Sequence, residues 1–219
     1  MNLRVKICGI KRSEDAILAA ELGAKSLGFV FSQTRRRVEP ERVKLILNDL
    51  AERGLREKIR AIGIFVNADP FEMQDIFNSC NLNSVQIHGD ERPEEMGLFS
   101  FPWYRAFRVR TLEALNELPL TAWKGSRFLF DTDAPGEVGE IGMKPNIDVA
   151  RRAVQLAKAT GREGWISGGI TPENVYKIVE ETKPDGIDVS SGIEESPGIK
   201  SHEAMRKLFE QIAPFRDLS

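Results

Sequence analysis

The sequence predicts an α/β protein, a single (β/α)8 TIM barrel spanning residues 1–219. Short runs rich in β-branched and aromatic residues alternate with longer segments of helical spacing, which is the mark of parallel βα units. The alternation repeats eight times over about 210 of the 219 residues. That is a period of roughly 26, enough for a strand, a helix and two short loops. No Ser/Gly linker or block of like charge interrupts the series. A doubly wound open sheet is the alternative, but eight units without a long insertion favour closure into one barrel domain without a hinge.

Strands are expected at 5–8, 26–31, 60–66, 84–88, 104–109, 128–131, 164–167 and 185–189. Helices are expected between and after them, at 13–22, 40–53, 70–80, 91–99, 112–117, 148–160, 172–181 and 201–212. The first helix opens on a Ser13-x-Asp15 capping pattern. The second and third carry Pro40 and Pro70 in the first turn, where a missing N–H leaves no partner unsatisfied. Gly23 and Gly54 read as helix C-caps.

Composition narrows the function. Lys and Arg number 31 against 33 Asp and Glu, so no global nucleic-acid or membrane surface is expected, and any affinity for an anion must be local. Cys8 and Cys80 are the only cysteines and form no CxxC pattern, which fits free thiols in a reducing compartment rather than a disulfide framework or zinc site. The N-terminus lacks the series of a signal peptide, and no apolar stretch reaches membrane-spanning length, so a soluble cytoplasmic protein is expected. No His/Asp/Glu cluster has metal spacing, and no GxGxxG or Walker motif opens a helix, so neither a metal nor a cofactor is implied. Apolar residues on the outer helices fit a monomer or a homodimer.

A barrel of this kind does its chemistry where strands end and the following loops begin. The chemically capable side chains fall there. They include Cys8, three arginines at 35–37, His88, Arg108, Asp131, Ser167 and the segment from Asp188 to Gly192. After the seventh strand, Gly168 and Gly169 precede a helix; after the eighth come Ser190, Ser191 and Gly192. Glycines let backbone N–H groups approach an anion, and phosphate commonly binds after strands seven and eight. Each loop alone could be an ordinary turn; the pair at these two places points to a phosphorylated small-molecule substrate.

The arginine run suits a second anionic group, since a guanidinium pairs bidentately with a carboxylate, although three consecutive arginines cannot all point inward. Asp131 closes the apolar strand FLFD, where partial desolvation would favour a protonated carboxyl able to donate. Cys8 is either a packing residue or a thiol at the mouth of the first strand, and its place just before Gly9 favours the mouth. His88 reads as a structural or binding residue, Cys80 as structural, and His202 as a surface residue at the start of the last helix.

These stretches resemble the phosphoribosylanthranilate isomerase family nearly end to end. The resemblance rests on KICGI at 6–10, GFVF at 28–31 with RRV at 36–38, VQIHGDE at 85–91, SGGITPENV at 167–175 and DVSSGIEESPGIK at 188–200. It implies an Amadori rearrangement of N-(5-phosphoribosyl)anthranilate, with Asp131 as general acid at the furanose ring oxygen and Cys8 as general base at C2′. A cationic or dipolar neighbourhood that lowers the thiol pKa would serve that base. The resemblance further implies that Arg36 holds the anthranilate carboxylate. It puts Asp188 near the amine and Gly168, Gly169, Ser191 and Gly192 around the phosphate, while His88, on its own reading as a rim histidine, is counted with the substrate-binding residues. The chain departs from the family at 133–148, where Glu137 and Glu140 replace a glycine and an expected lysine in a glycine-rich loop. Two alternatives stay open: another phosphosugar barrel enzyme, whose site would favour two aspartates or a lysine–glutamate pair, and a weakly catalytic barrel acting as a binding module.

Overall fold

A computed structural model of the chain describes residues 2–132 and 145–216. The loop carrying Glu137 and Glu140 lies outside the described residues. Eight parallel strands close in sequence order, and β8 pairs back onto β1. They are β1 Arg4–Cys8, β2 Ser26–Val30, β3 Arg60–Phe65, β4 Ser84–Ile87, β5 Trp103–Arg108, β6 Arg127–Asp131, β7 Glu163–Ser167 and β8 Gly186–Val189. Outside the barrel run α1 Ser13–Glu21, α2 Pro40–Glu52, α3 Pro70–Ser79, α4 Leu112–Asn116, α5 Ile147–Ala159, α6 Val175–Thr182 and α7 His202–Gln211.

The alternation of side chains across each strand divides the core in two. Outward residues such as Val5, Ile7, Phe29, Phe128 and Phe130 pack with the helices into one large cluster. A smaller cluster of Ile62, Tyr104, Ala106, Leu129 and Trp165 fills the barrel interior. Each fully buried large apolar side chain contributes about 1.5–3 kcal/mol, so the outer cluster dominates stability while the inner one supports the floor of the site.

Several expectations needed correction. The predicted helix at 91–99 is only a single 3-10 turn, Glu95–Leu98. Pro93 and Gly97 weaken the segment. Moreover, the Glu91 carboxylate accepts from the Asn67 and Gly89 N–H groups and from Arg105, so it ties loops together rather than opening a helix. Ser13 does not cap α1. The N-cap position is Arg12, without a side-chain hydrogen bond, and Asp15 is fully buried, accepting from Arg12 and bonding His202 Nε2 at 2.9 Å. His202 is a surface residue at the start of the last helix, as expected, and this bond also ties it to the first helix. The sixth helix begins at Val175, three residues after the expected start, for a reason that belongs to the site. A hairpin of β9 Glu194–Ser196 and β10 Ile199–Lys200, turning at Pro197–Gly198, was not foreseen. Gly23 and Gly54 do take left-handed φ of 88° and 66°, as their C-cap reading requires. Among the described residues no helix is long and apolar enough to cross a membrane, and no group of three or more His, Cys, Asp or Glu is disposed to hold a metal ion.

Candidate active site

The strand register brings the candidate residues to one end of the barrel. Arg108 pairs with Asp131, Asp131 with Ser167, Ser167 with Asp188, and Asp188 with Lys6. One level row thus runs from β5 through β8 to β1, and Cys8 stands one interior position above Lys6. Cys8 and Asp131 are the last residues of strands three apart around the closed barrel. Both Cys8 and Lys6 face the interior, since a β-carbon added at Gly28 on β2 would lie 2.8 Å from Cys8 Sγ and 3.0 Å from Lys6 Cε.

Lys6 is the group that sequence reasoning missed. It is 1 % exposed, and its ammonium donates to Asp188 Oδ2 at 2.7 Å and to Gln86 Oε1 at 2.9 Å. Burial alone would lower its pKa, but Asp188, Cys8 and Tyr104 outweigh that and raise it, so it stays charged. Its signal was spacing: in KIC, Lys6 lies two residues before Cys8, hence on the same face of the strand. The other oxygen of Asp188, Oδ1, is buried with no hydrogen-bond partner among the described residues. Such an acceptor costs free energy unless a ligand donor reaches it.

Cys8 is a half-buried free thiol. Burial pushes it up, Asp188 pushes in the same direction, and Lys6 and Lys200 oppose without prevailing. This reverses the expectation of a lowered thiol pKa. The cations are present, but burial outweighs them, and each is already paired, Lys6 with Asp188 and Lys200 with Glu194.

The arginine run resolves as one inward residue and two outward. Arg37 pairs with the exposed Glu39 at 3.2 Å, and Arg35 is exposed. Arg36 reaches across the mouth of β1 and donates through Nε and Nη2 to Glu194, with contacts of 3.0, 3.1 and 2.7 Å. Its stem passes over Gly9, where φ is +76° and a β-carbon would meet Arg36 Cδ at 2.9 Å, so glycine is required there. Glu194 also accepts from the buried Lys200 at 2.8 Å. Burial would raise the Glu194 carboxyl, but Arg36 and Lys200 hold it below the usual carboxylate range. The structure therefore holds Arg36 by one edge, while Nη1 has no part in that pair. Glu194 and Lys200 lie in the unforeseen hairpin.

His88 follows β4, continuing its ladder through N–H to Phe65 O at 2.9 Å. Burial pushes its imidazole down to about 3, aided by Arg108, Lys6 and Arg105, so it is neutral. Nε2 lies 3.8 Å from Asp131 Oδ2, and Nδ1 lies 3.5 Å from Gln86 Nε2.

The two glycine loops meet. Gly168 and Gly169 both have left-handed φ, and a β-carbon on Gly192 would run into the carbonyl oxygen of Ile170. Asn174 locks the first loop, donating to Gly169 O at 2.7 Å and accepting from the Thr171 N–H at 2.8 Å. These bonds hold 171–174 as a turn and delay α6 to Val175. Ser190 Oγ donates to Cys8 O at 3.2 Å, joining the second loop to β1.

Comparison with known proteins identifies the family. The family described as N-(5′-phosphoribosyl)anthranilate (PRA) isomerase matches residues 5–211. The N-(5′-phosphoribosyl)anthranilate isomerase of Geobacter sulfurreducens is 39% identical over 207 residues, covering 94% of this chain and 96% of the relative. The crystal structure of phosphoribosyl anthranilate isomerase from Thermotoga maritima has a TM-score of 0.82 at 30% identity, covering 97% of this chain and 99% of that one. A crystal structure of the isomerase in complex with reduced 1-(o-carboxyphenylamino)-1-deoxyribulose 5-phosphate has a TM-score of 0.76 at 28% identity, covering 97% of this chain and 99% of that one.

Proposed function

The chain belongs to the N-(5′-phosphoribosyl)anthranilate isomerase family of tryptophan biosynthesis, and from that premise we propose how its own residues perform the isomerisation. N-(5′-phosphoribosyl)anthranilate enters with its phosphate against Gly168, Gly169, Ser191 and Gly192. Its anthranilate lies toward Asp188 and Arg36. Asp131 gives its proton to the furanose ring oxygen, the C1′–O bond breaks, and the nitrogen lone pair forms a protonated Schiff base. Cys8 removes the C2′ proton to give an enolamine, which tautomerises to 1-(o-carboxyphenylamino)-1-deoxyribulose 5-phosphate. Aldose becomes ketose with no net electron transfer, so one proton donor and one acceptor suffice.

The observation that carries the reading is the single interior row from Asp131 through Asp188 to Lys6, with Cys8 directly above it. A donor and an acceptor so arranged can flank one sugar. The orphan oxygen of Asp188 supports its pairing with the anthranilate N–H, and the unused edge of Arg36 supports its pairing with the carboxylate. His88, beside Asp131, lines the same opening. The raised thiol pKa means that Cys8 rests mostly as a thiol, so the base is its thiolate fraction, formed by release of the thiol proton to solvent before the C2′ proton is taken, and the cationic Schiff base beside it favours that charge. The reading places the enzyme in the cytoplasm, where a free thiol stays reduced.

Freshly generated phosphoribosylanthranilate loses its fluorescence on conversion, which provides the assay. Wild type should convert it. Cys8→Ala and Asp131→Asn should each lose about 10²–10⁴-fold in kcat/KM, the usual worth of a general base or acid. Wild-type kcat/KM should climb on the alkaline side with the thiolate fraction, and Cys8→Ala should lose that climb. Binding without conversion by the wild type would sink the proposal.

A further inference from the structure

One interaction chain passes through the barrel interior from β1 to β6. Tyr104 Oη donates to Gln86 Oε1 at 2.8 Å, and Lys6 Nζ donates to the same oxygen at 2.9 Å. A lysine ammonium has donors and no acceptor, so the Gln86 atom facing it must be the carbonyl oxygen. This removes the usual ambiguity of a glutamine amide. The amide NH2 then faces the other way, toward His88 Nδ1 at 3.5 Å. An NH2 can only donate, so Nδ1 is the acceptor, and the proton of the neutral ring must sit on Nε2. Nε2 is the atom 3.8 Å from Asp131 Oδ2, and it is buried without a hydrogen-bond partner among the described residues.

We propose that Lys6 and Gln86 are positioning residues that fix His88 as its Nε2–H tautomer, so that a neutral N–H donor faces Asp131 and the sugar. The same ammonium holds Asp188 Oδ2 at 2.7 Å, so one buried lysine sets the orientation of groups on both sides of the substrate. The titratable and charged groups around His88 are Asp131 from β6, Arg108 and Arg105 from β5, and Lys6 from β1. The three cations all disfavour a second proton on the ring, and this preserves the distinction between its nitrogens. In catalysis the Nε2–H stabilises Asp131 once it has given up its proton. That last step rests on the acid role proposed above; the tautomer does not.

The chain has two histidines, His88 and His202. This makes a long-range proton–nitrogen correlation spectrum of 15N-histidine-labelled protein readable, with His88→Asn identifying the His88 signals. Wild type at neutral pH should show a protonated Nε2 and a bare Nδ1 for His88. Gln86→Glu replaces the donor facing Nδ1 with an acceptor, so Nδ1 should become protonated, with kcat down roughly tenfold from the misdirected ring and KM changed much less. Lys6→Met should give a mixture of tautomers as the Gln86 amide becomes free to rotate. If Lys6→Met fails to fold, Gln86→Glu alone decides. A wild-type His88 protonated on Nδ1, or the same tautomer in wild type and Gln86→Glu, overturns the proposal. Because the spectrum needs no turnover, it separates failure of this inference from failure of the catalytic reading.

Discussion

An ammonium at 1 % exposure persists only with full compensation, and Lys6 has it from Asp188 and Gln86. Removing one member of such a pair strands the other charge and costs about 3–5 kcal/mol, whereas replacing both by apolar groups of similar volume can be close to neutral. Lys6→Met and Asp188→Leu should therefore each lower the urea midpoint severely, while the double variant should recover most of the loss. Additive losses in the double variant would show that the two side chains are not energetically paired. This pair also marks the limit of what the sequence discloses about the site. The places of Cys8 and Asp131 were legible because each ends a strand of the barrel. Lys6 was not, because a lysine inside a strand pattern ordinarily signals a solvated face, and Gln86 could be placed near the end of its strand but not given a partner. Only closure of the sheet makes that face an interior, and the i, i+2 steps from Lys6 to Cys8 and from Gln86 to His88 acquire meaning after closure.

Among the elements, those with strong local signals were easiest to read. Proline-led α2 and α3 begin where expected, and the barrel strands are displaced by at most one residue at their ends. The predicted helix at 91–99 failed because Glu91 is recruited to the Asn67 amide on the loop after β3 and to Arg105 on β5, a tertiary demand that no local pattern records. The same competition decides α6. Asn174 spends both ends of its amide on the preceding loop, which keeps the Gly168–Gly169 turn in place at the cost of helical residues 172–174. Each of these hydrogen bonds contributes about 1 kcal/mol. Asn174→Ala should thus loosen the phosphate loop and raise KM by roughly tenfold, with kcat much less affected. The check is steady-state kinetics with added inorganic phosphate as a competitive inhibitor, whose inhibition constant should rise in parallel. An unchanged phosphate constant would show that Asn174 serves the helix rather than the loop.

Over the whole molecule, the barrel keeps one histidine neutral at a mouth rimmed by cations, and this couples folding to pH. The His88 imidazole lies at about 3 in the folded protein against an ordinary 6.5. Above 6.5 neither folded nor unfolded chain binds that proton, and the stability is fully present. Below 6.5 the unfolded chain takes up a proton that the folded chain refuses, so acidification destabilises the fold by about 1.4 kcal/mol per pH unit until the folded ring itself titrates. Glu194 works in the same direction but lower. Its folded pKa is depressed below the usual 4.5, so its contribution is present above that value and is lost as pH falls through its folded pKa. The interval from about pH 7 to 5.5 therefore isolates His88, and urea unfolding across it should show a loss of about 1 kcal/mol in wild type. His88→Asn, which has no proton to refuse, should remove that loss whatever its effect on absolute stability. An equal loss in the two proteins would mean that His88 is free to protonate in the folded barrel, and the neutral donor beside Asp131 could not then exist below neutrality.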